Sequence, residues 1–165
     1  MNRLFMHQRA TIRAAAIGLA ALAVLVLSGA TNPQTVTPPP LVCITLHGAS
    51  GQAAFVKAEV ADTTEMMLRG LMFRSYLPPS SGMLFDFGDT VLIPFYMRNT
   101  YIPLSIAFIS AEGEILDILD MEPLDEERRA PTHPYRYALE VNQGFFEMHH
   151  LKAGDRVYFT YRRSQ

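Results

Sequence analysis

One cysteine in 165 residues, Cys43, leaves the chain without an intrachain disulfide, so its stability has to come from a hydrophobic core. Charge is missing from the front of the chain: Arg3, Arg9 and Arg13 are the only charged side chains before Lys57 and Glu59. No basic run is long enough to track a phosphate backbone, and the net charge is −2, which argues against nucleic acid as a partner. No Gly-rich phosphate loop sits at a strand–helix junction, and no histidine or cysteine spacing matches a zinc or iron site. Ser80, Ser81, Ser105 and Thr100 lack any motif that would set a histidine and a carboxylate beside them. No cofactor is expected.

The first 30 residues carry a different signal. Three arginines precede an unbroken apolar run, Ala14 to Leu27, which ends in the small residues Ser28-Gly29-Ala30. A basic start, a short apolar run and small residues before the cut are the parts of a secretory signal peptide. A membrane anchor is the alternative, but a bilayer takes about 20 apolar residues and this run is shorter. Cleavage is expected near Ala30, giving a periplasmic or secreted protein that meets the membrane only through the leader. No cysteine follows the run directly, so no lipid anchor is expected. Losing three arginines lowers Lys+Arg from 14 to 11 against 16 Asp+Glu, a mature charge of −5.

Residues 31–40 hold four prolines and read as a tether. The rest, 41–165, reads as a single domain. Leu41 to Leu46 and Ala53 to Val60 read as strands joined by the turn-rich His47-Gly48-Ala49-Ser50-Gly51, with Cys43 expected to be buried in the first. A helix follows, its start set by Asp62 with Glu65 three residues on, and its apolar face by Met67, Leu68, Leu71 and Met72. Gly70 interrupts it, which suggests that a neighbouring backbone comes close. Short strands are expected at Met83 to Phe87 and Phe95 to Met97. Leu104 to Ser110 and Glu114 to Met121 form a hairpin whose turn ends in Gly113. Glu122 to Pro134, with six charged residues and three prolines, is a surface loop. A strand at Tyr135 to Val141, a short helix within Gly144 to Leu151 and a closing strand at Asp155 to Tyr161 complete the reading. The expected class is α+β and β-dominated: a strongly bent, mostly antiparallel sheet or small barrel with one or two short helices.

Several blocks resemble a known family. They are Arg69-Gly70-Leu71-Met72-Phe73-Arg74, Gly82-Met83-Leu84-Phe85, and Phe95-Tyr96-Met97-Arg98-Asn99-Thr100-Tyr101-Ile102-Pro103-Leu104. Leu139-Glu140-Val141-Asn142-Gln143-Gly144 and Gly154-Asp155-Arg156-Val157 follow in order. Together they resemble the domain-of-unknown-function family numbered 192 over most of the chain after residue 55. The resemblance implies a small β-rich fold, often behind an export signal, with no settled activity. Two positions depart from its pattern. Tyr96 stands where the family usually has Trp, and Ser105 where it usually has Asp, so any role of that acid is absent from this chain.

The candidate ligand-binding residues are Arg69, Arg74, Tyr96, Asn99 and Glu140. A guanidinium suits a carboxylate or phosphate, so Arg69 and Arg74 fit an anionic group. The structural alternative pairs one of them with Glu140, a carboxylate inside an apolar strand that needs a partner. Asn99 and Thr100 either hold the turn before Pro103 or, for Asn99, face a cleft beside Tyr96. His47, His133 and the adjacent His149 and His150 do not form a ligand set. Met66, Met67, Met72, Met83 and Met97 with Cys43 could suit Cu(I), though methionine usually fills core gaps, and no metal site is expected. The leading expectation is a non-catalytic module for a small polar ligand or an envelope protein partner, with the 122–134 loop as a lid. A structural or assembly factor is the next reading. An envelope enzyme using Glu140 as acid or base, with Arg69 holding the substrate, comes last.

Overall fold

Alternation decides the first two strands. In β1 (Leu41–His47) Val42, Ile44 and Leu46 are buried while Leu41, Cys43 and His47 face out. In β2 (Ala53–Ala61) Ala54, Val56, Ala58 and Val60 are buried on one face, the period of two that a half-buried strand imposes, and Ala61 at its end is buried in the other core. The two pair antiparallel, with Cys43 opposite Lys57. Cys43 is therefore exposed rather than buried: its neighbours occupy the inward positions, and parity leaves it the outer face.

The computed structural model describes residues 38–160. The expected leader over 1–30 and most of the proline-rich stretch lie outside the described residues. The other elements are α1 (Thr64–Arg69), β3 (Ser81–Val91), β4 (Leu104–Ile109), β5 (Ile115–Met121), β6 (Tyr135–Asn142), α2 (Phe145–Met148) and β7 (Arg156–Phe159). Seven strands make one curled sheet in the order β5-β4-β6-β3-β2-β1-β7. Only β2 and β3 run parallel, because α1 and its following loop carry the chain back between them. The sheet curls into a half-barrel. Its two edges meet where Ile115 N–H donates to the Asp155 carbonyl (2.9 Å) and Val157 N–H to the Gly113 carbonyl (2.8 Å).

Gly113 sits at that seam with φ of +82°, and a Cβ there would lie 2.5 Å from the Val157 carbonyl oxygen. Both the left-handed backbone and the close approach exclude a side chain. Gly113→Ala is expected to cost about 1–3 kcal/mol, measurable as an earlier denaturant midpoint; an unchanged midpoint would mean that the seam yields freely.

Each face of the sheet carries its own core. The concave face buries Ile44, Leu46, Val56, Leu84, Leu139 and Val141, closed off by Phe145, Phe146 and Leu151 around α2. The convex face over β3, β6 and β4 buries Phe85, Ala138, Ile106 and Phe108 under Leu71, Leu77, Met97 and Ile102. That second layer comes from loops, and it positions the site.

Local chemistry differs from expectation in three places. Thr63, not Asp62, caps α1, accepting from Met66 N–H (3.3 Å), and Asp62 is buried one residue earlier. Gly70 ends α1 at φ +48°, ψ −135°, with the Phe85 ring rather than a backbone as its close neighbour. The β3 strand runs on through Gly88 with a register shift between Asp86 and Val91, and Phe95 makes only an isolated bridge to Arg129. Among the described residues no helix is long and apolar enough to cross a membrane.

Candidate functional site

Residue parity on β6 sets the centre of the site. Leu139 and Val141 enter the concave core, so Ala138 and Glu140 must face the convex side. Glu140 lies between Met83 of β3 and Ile106 of β4, and it is 5% exposed. Among the described residues its carboxyl has no hydrogen-bond or ion-pair partner. Burial alone pushes its pKa up to about 8, because a low-dielectric surrounding penalises the charged form.

Glu140 borders a cavity of about 350 Å³ between α1 and the segment 93–96. Phe85, Phe87, Phe95 and Tyr96 supply aromatic surface, and Met67 and Leu71 of the α1 region add aliphatic surface. Phe85 and Phe95 meet edge to face at 5.1 Å, and Phe87 and Phe95 at 6.3 Å, an arrangement that aromatic quadrupoles favour. Arg69, exposed in the last turn of α1, also borders the cavity, and it too has no partner among the described residues. Leu68 and Ile93 stand exposed at the rim.

The wall is held by backbone bonds. Tyr135 donates from its hydroxyl to the Ile93 carbonyl (2.6 Å), and burial raises its pKa, so it stays a donor. Phe95 exchanges two hydrogen bonds with Arg129, and Met97 N–H donates to the Asp125 carbonyl (2.7 Å). The 122–134 loop thus braces the cavity wall from behind, and none of its residues lines the cavity.

Of the five sequence candidates, Arg69, Tyr96 and Glu140 come together around the cavity; Arg74 and Asn99 lie outside its lining. Arg74 forms a two-pronged ion pair with Glu59 (2.6 and 2.7 Å). That corrects the expected structural pairing of an arginine with Glu140. Asn99 adopts φ +55°, a conformation asparagine tolerates, and its carbonyl accepts from Phe73 N–H (2.8 Å). Thr100 donates to the Arg98 carbonyl (3.3 Å), so this segment is a turn that ties the post-α1 loop to the wall. The aromatic wall residues Phe85, Phe87 and Phe95 are not among the sequence candidates; their signals are membership of apolar strands and, for Phe85 and Phe95, of the family-like blocks.

Ser105 faces the concave side, opposite Val141, away from the cavity. Its hydroxyl donates to Asp120 (2.5 Å) and accepts from Gly144 N–H (2.9 Å), joining β5 to the start of α2. Met66, Met67, Met83 and Met97 pack in the convex core, whereas Cys43 is exposed on β1. Among the described residues no three His, Cys, Asp or Glu side chains gather as a ligand set. A larger and more open depression beside Cys43, Tyr137 and Phe159 holds no buried ionisable group, which favours the Glu140 cavity as the site.

The curled seven-stranded sheet places the chain in a class of small β domain, and two solved structures are similar to it over most of their length. One, from Sinorhizobium meliloti 1021 and provisionally described as a transcription regulator, is 33% identical, with a TM-score of 0.73 over 74% of this chain and 96% of that one. The other, a protein of unknown function from Novosphingobium aromaticivorans DSM 12444, is also 33% identical, with a TM-score of 0.70 over 75% and 89%. The profile of DUF192, described as "Uncharacterized ACR", matches residues 45–159. The chain belongs to the DUF192 family. No curated protein matches it.

Proposed function

We propose that this domain is a non-catalytic binding module of the cell envelope, and that its ligand is a small amphiphile seated beside α1. One observation carries the reading: an unpartnered, buried carboxyl at the base of an apolar cavity. Burying a carboxyl without a partner costs free energy, and groups so perturbed concentrate at functional sites. The cavity volume of about 350 Å³ falls in the range of small-molecule pockets, which are mostly apolar with a few fixed polar groups. The apolar lining shifts the ligand from the polar molecule read from sequence to one with an apolar body and a single polar end. Export rests on the apolar leader. The net charge of −2 gives no support to a nucleic-acid partner.

Thermal unfolding with panels of aryl and alkyl amines, alcohols, carboxylates and simple sugars tests the reading. A binder at a hundred times its Kd stabilises the fold by about 2.7 kcal/mol, a shift of several degrees in Tm. Amphiphiles are expected to give it and sugars not. A flat response across the panel would sink the reading.

A second reading makes Glu140 a general acid or base. Its support is the pKa near 8, which leaves a proton to give at neutral pH. Among the described residues no second carboxylate, histidine or cysteine lines the cavity, so binding ranks first. A ligand recovered chemically unchanged favours binding; conversion favours catalysis.

A further inference from the structure

The geometry points to an organic cation as the occupant: an ammonium group on a small apolar body, its charge against Glu140 and its body against the aromatic wall. This rests on the binding reading above and names the ligand class.

Three observations converge. Glu140 is nineteen-twentieths buried, and its carboxyl has no donor among the described residues. An ionised carboxylate only accepts hydrogen bonds and needs donors around it. Its cross-strand neighbours, Met83 and Ile106, offer none. An ammonium brings both donors and the opposite charge. Second, four aromatic side chains, Phe85, Phe87, Phe95 and Tyr96, line the same cavity. Aromatic faces attract cations, and more so away from water. An anion would meet those faces unfavourably. Third, the groups around Glu140 leave room for a positive charge. Among the described residues Arg69 is the only cation on the lining, and it is exposed, where solvent screens it. Tyr96 is the only other titratable group there among the described residues. Glu59 lies two strands away, opposite Met83, and is already paired with Arg74.

Seating the cation requires Glu140 to ionise, so binding is coupled to loss of its proton. With the free carboxyl titrating at about 8, affinity should rise about tenfold from pH 6 to pH 7, and about one proton should leave per ligand bound at pH 7.

Calorimetric titration of the full chain with phenethylammonium, 2-phenylethanol and 3-phenylpropanoate, in buffers of different ionisation enthalpy, tests this. The expected result is phenethylammonium binding at least tenfold tighter than the other two, with proton release and the pH dependence above. Glu140→Gln should bind phenethylammonium no better than 2-phenylethanol while keeping the native circular dichroism. Equal or tighter binding of the alcohol or the carboxylate overturns the cation inference and leaves the binding reading intact. Binding of none of the three overturns both. The proton release is read on the native protein, so the inference stays testable should the Gln variant fail to fold.

Discussion

Glu140→Gln is expected to stabilise the ligand-free protein at alkaline pH and to flatten its response between pH 4.5 and 8. In the unfolded chain the carboxyl titrates near 4.5, and in the fold near 8. Between these values the folded state holds a proton that the unfolded state has released, so stability falls as pH rises. The contribution is fully present below pH 4.5 and fully lost above pH 8. At about 1.4 kcal/mol per unit, the loss across the window is about 4–5 kcal/mol, a large share of a typical domain's total stability. Glutamine keeps the size and polarity of the protonated acid but cannot ionise. Urea unfolding at pH 5 and pH 8 measures the effect: the native chain should lose several kcal/mol that the variant retains. Asp125, held below its ordinary value by the Glu127 amide and by Arg129, titrates at lower pH in both proteins and cancels in the difference. Parallel native and variant curves would mean that water or a shift of the wall solvates the carboxylate.

The same carboxylate shows what sequence could and could not disclose. Glu140 stands out in sequence as a charge inside an apolar strand; its face, opposite to Leu139 and Val141, is read from the structure. What covers that face was not legible, because the layer is built from loops without a period: Leu71, Leu77, Met97 and Ile102 reach it from separate turns. The Glu59 partner of Arg74 was hidden for a related reason. Glu59 carries no distinguishing signal in sequence, and only the fold of the chain between β2 and β3 brings Arg74 to it. The strands with clean alternation and the hairpin ending in Gly113 were readable because each depends on neighbours a few residues away. Cys43 was misplaced where residue type outweighed parity. The Thr63 cap shows the ordinary ambiguity of adjacent Asp and Thr, both good caps.

Asp155→Ala is expected to cost about 2–5 kcal/mol while leaving the Glu140 cavity as it is. Asp155 is buried, and its two carboxylate oxygens take different loops: one accepts from Ala49 N–H (2.9 Å) between β1 and β2, the other from Lys152 N–H (2.8 Å) after α2. Its own carbonyl accepts from Ile115 N–H at the seam of the curled sheet. Its side chain thus pins two loops, and its backbone carbonyl holds β5, at the place where the first and last strands of the sheet meet. Hydrogen bonds to a charged acceptor contribute about 1.5–3 kcal/mol each, and alanine strands both amides. Asparagine retains one acceptor but turns an N–H toward the other amide, so Asp155→Asn should fall between alanine and the native residue. Denaturant unfolding of the three proteins gives the order, and a loss below 1 kcal/mol for alanine would mean that water replaces the carboxylate. The seam and the cavity use different residues. Folded Asp155→Ala should therefore bind phenethylammonium as the native chain does, which separates the residues that close the sheet from those that would hold a ligand.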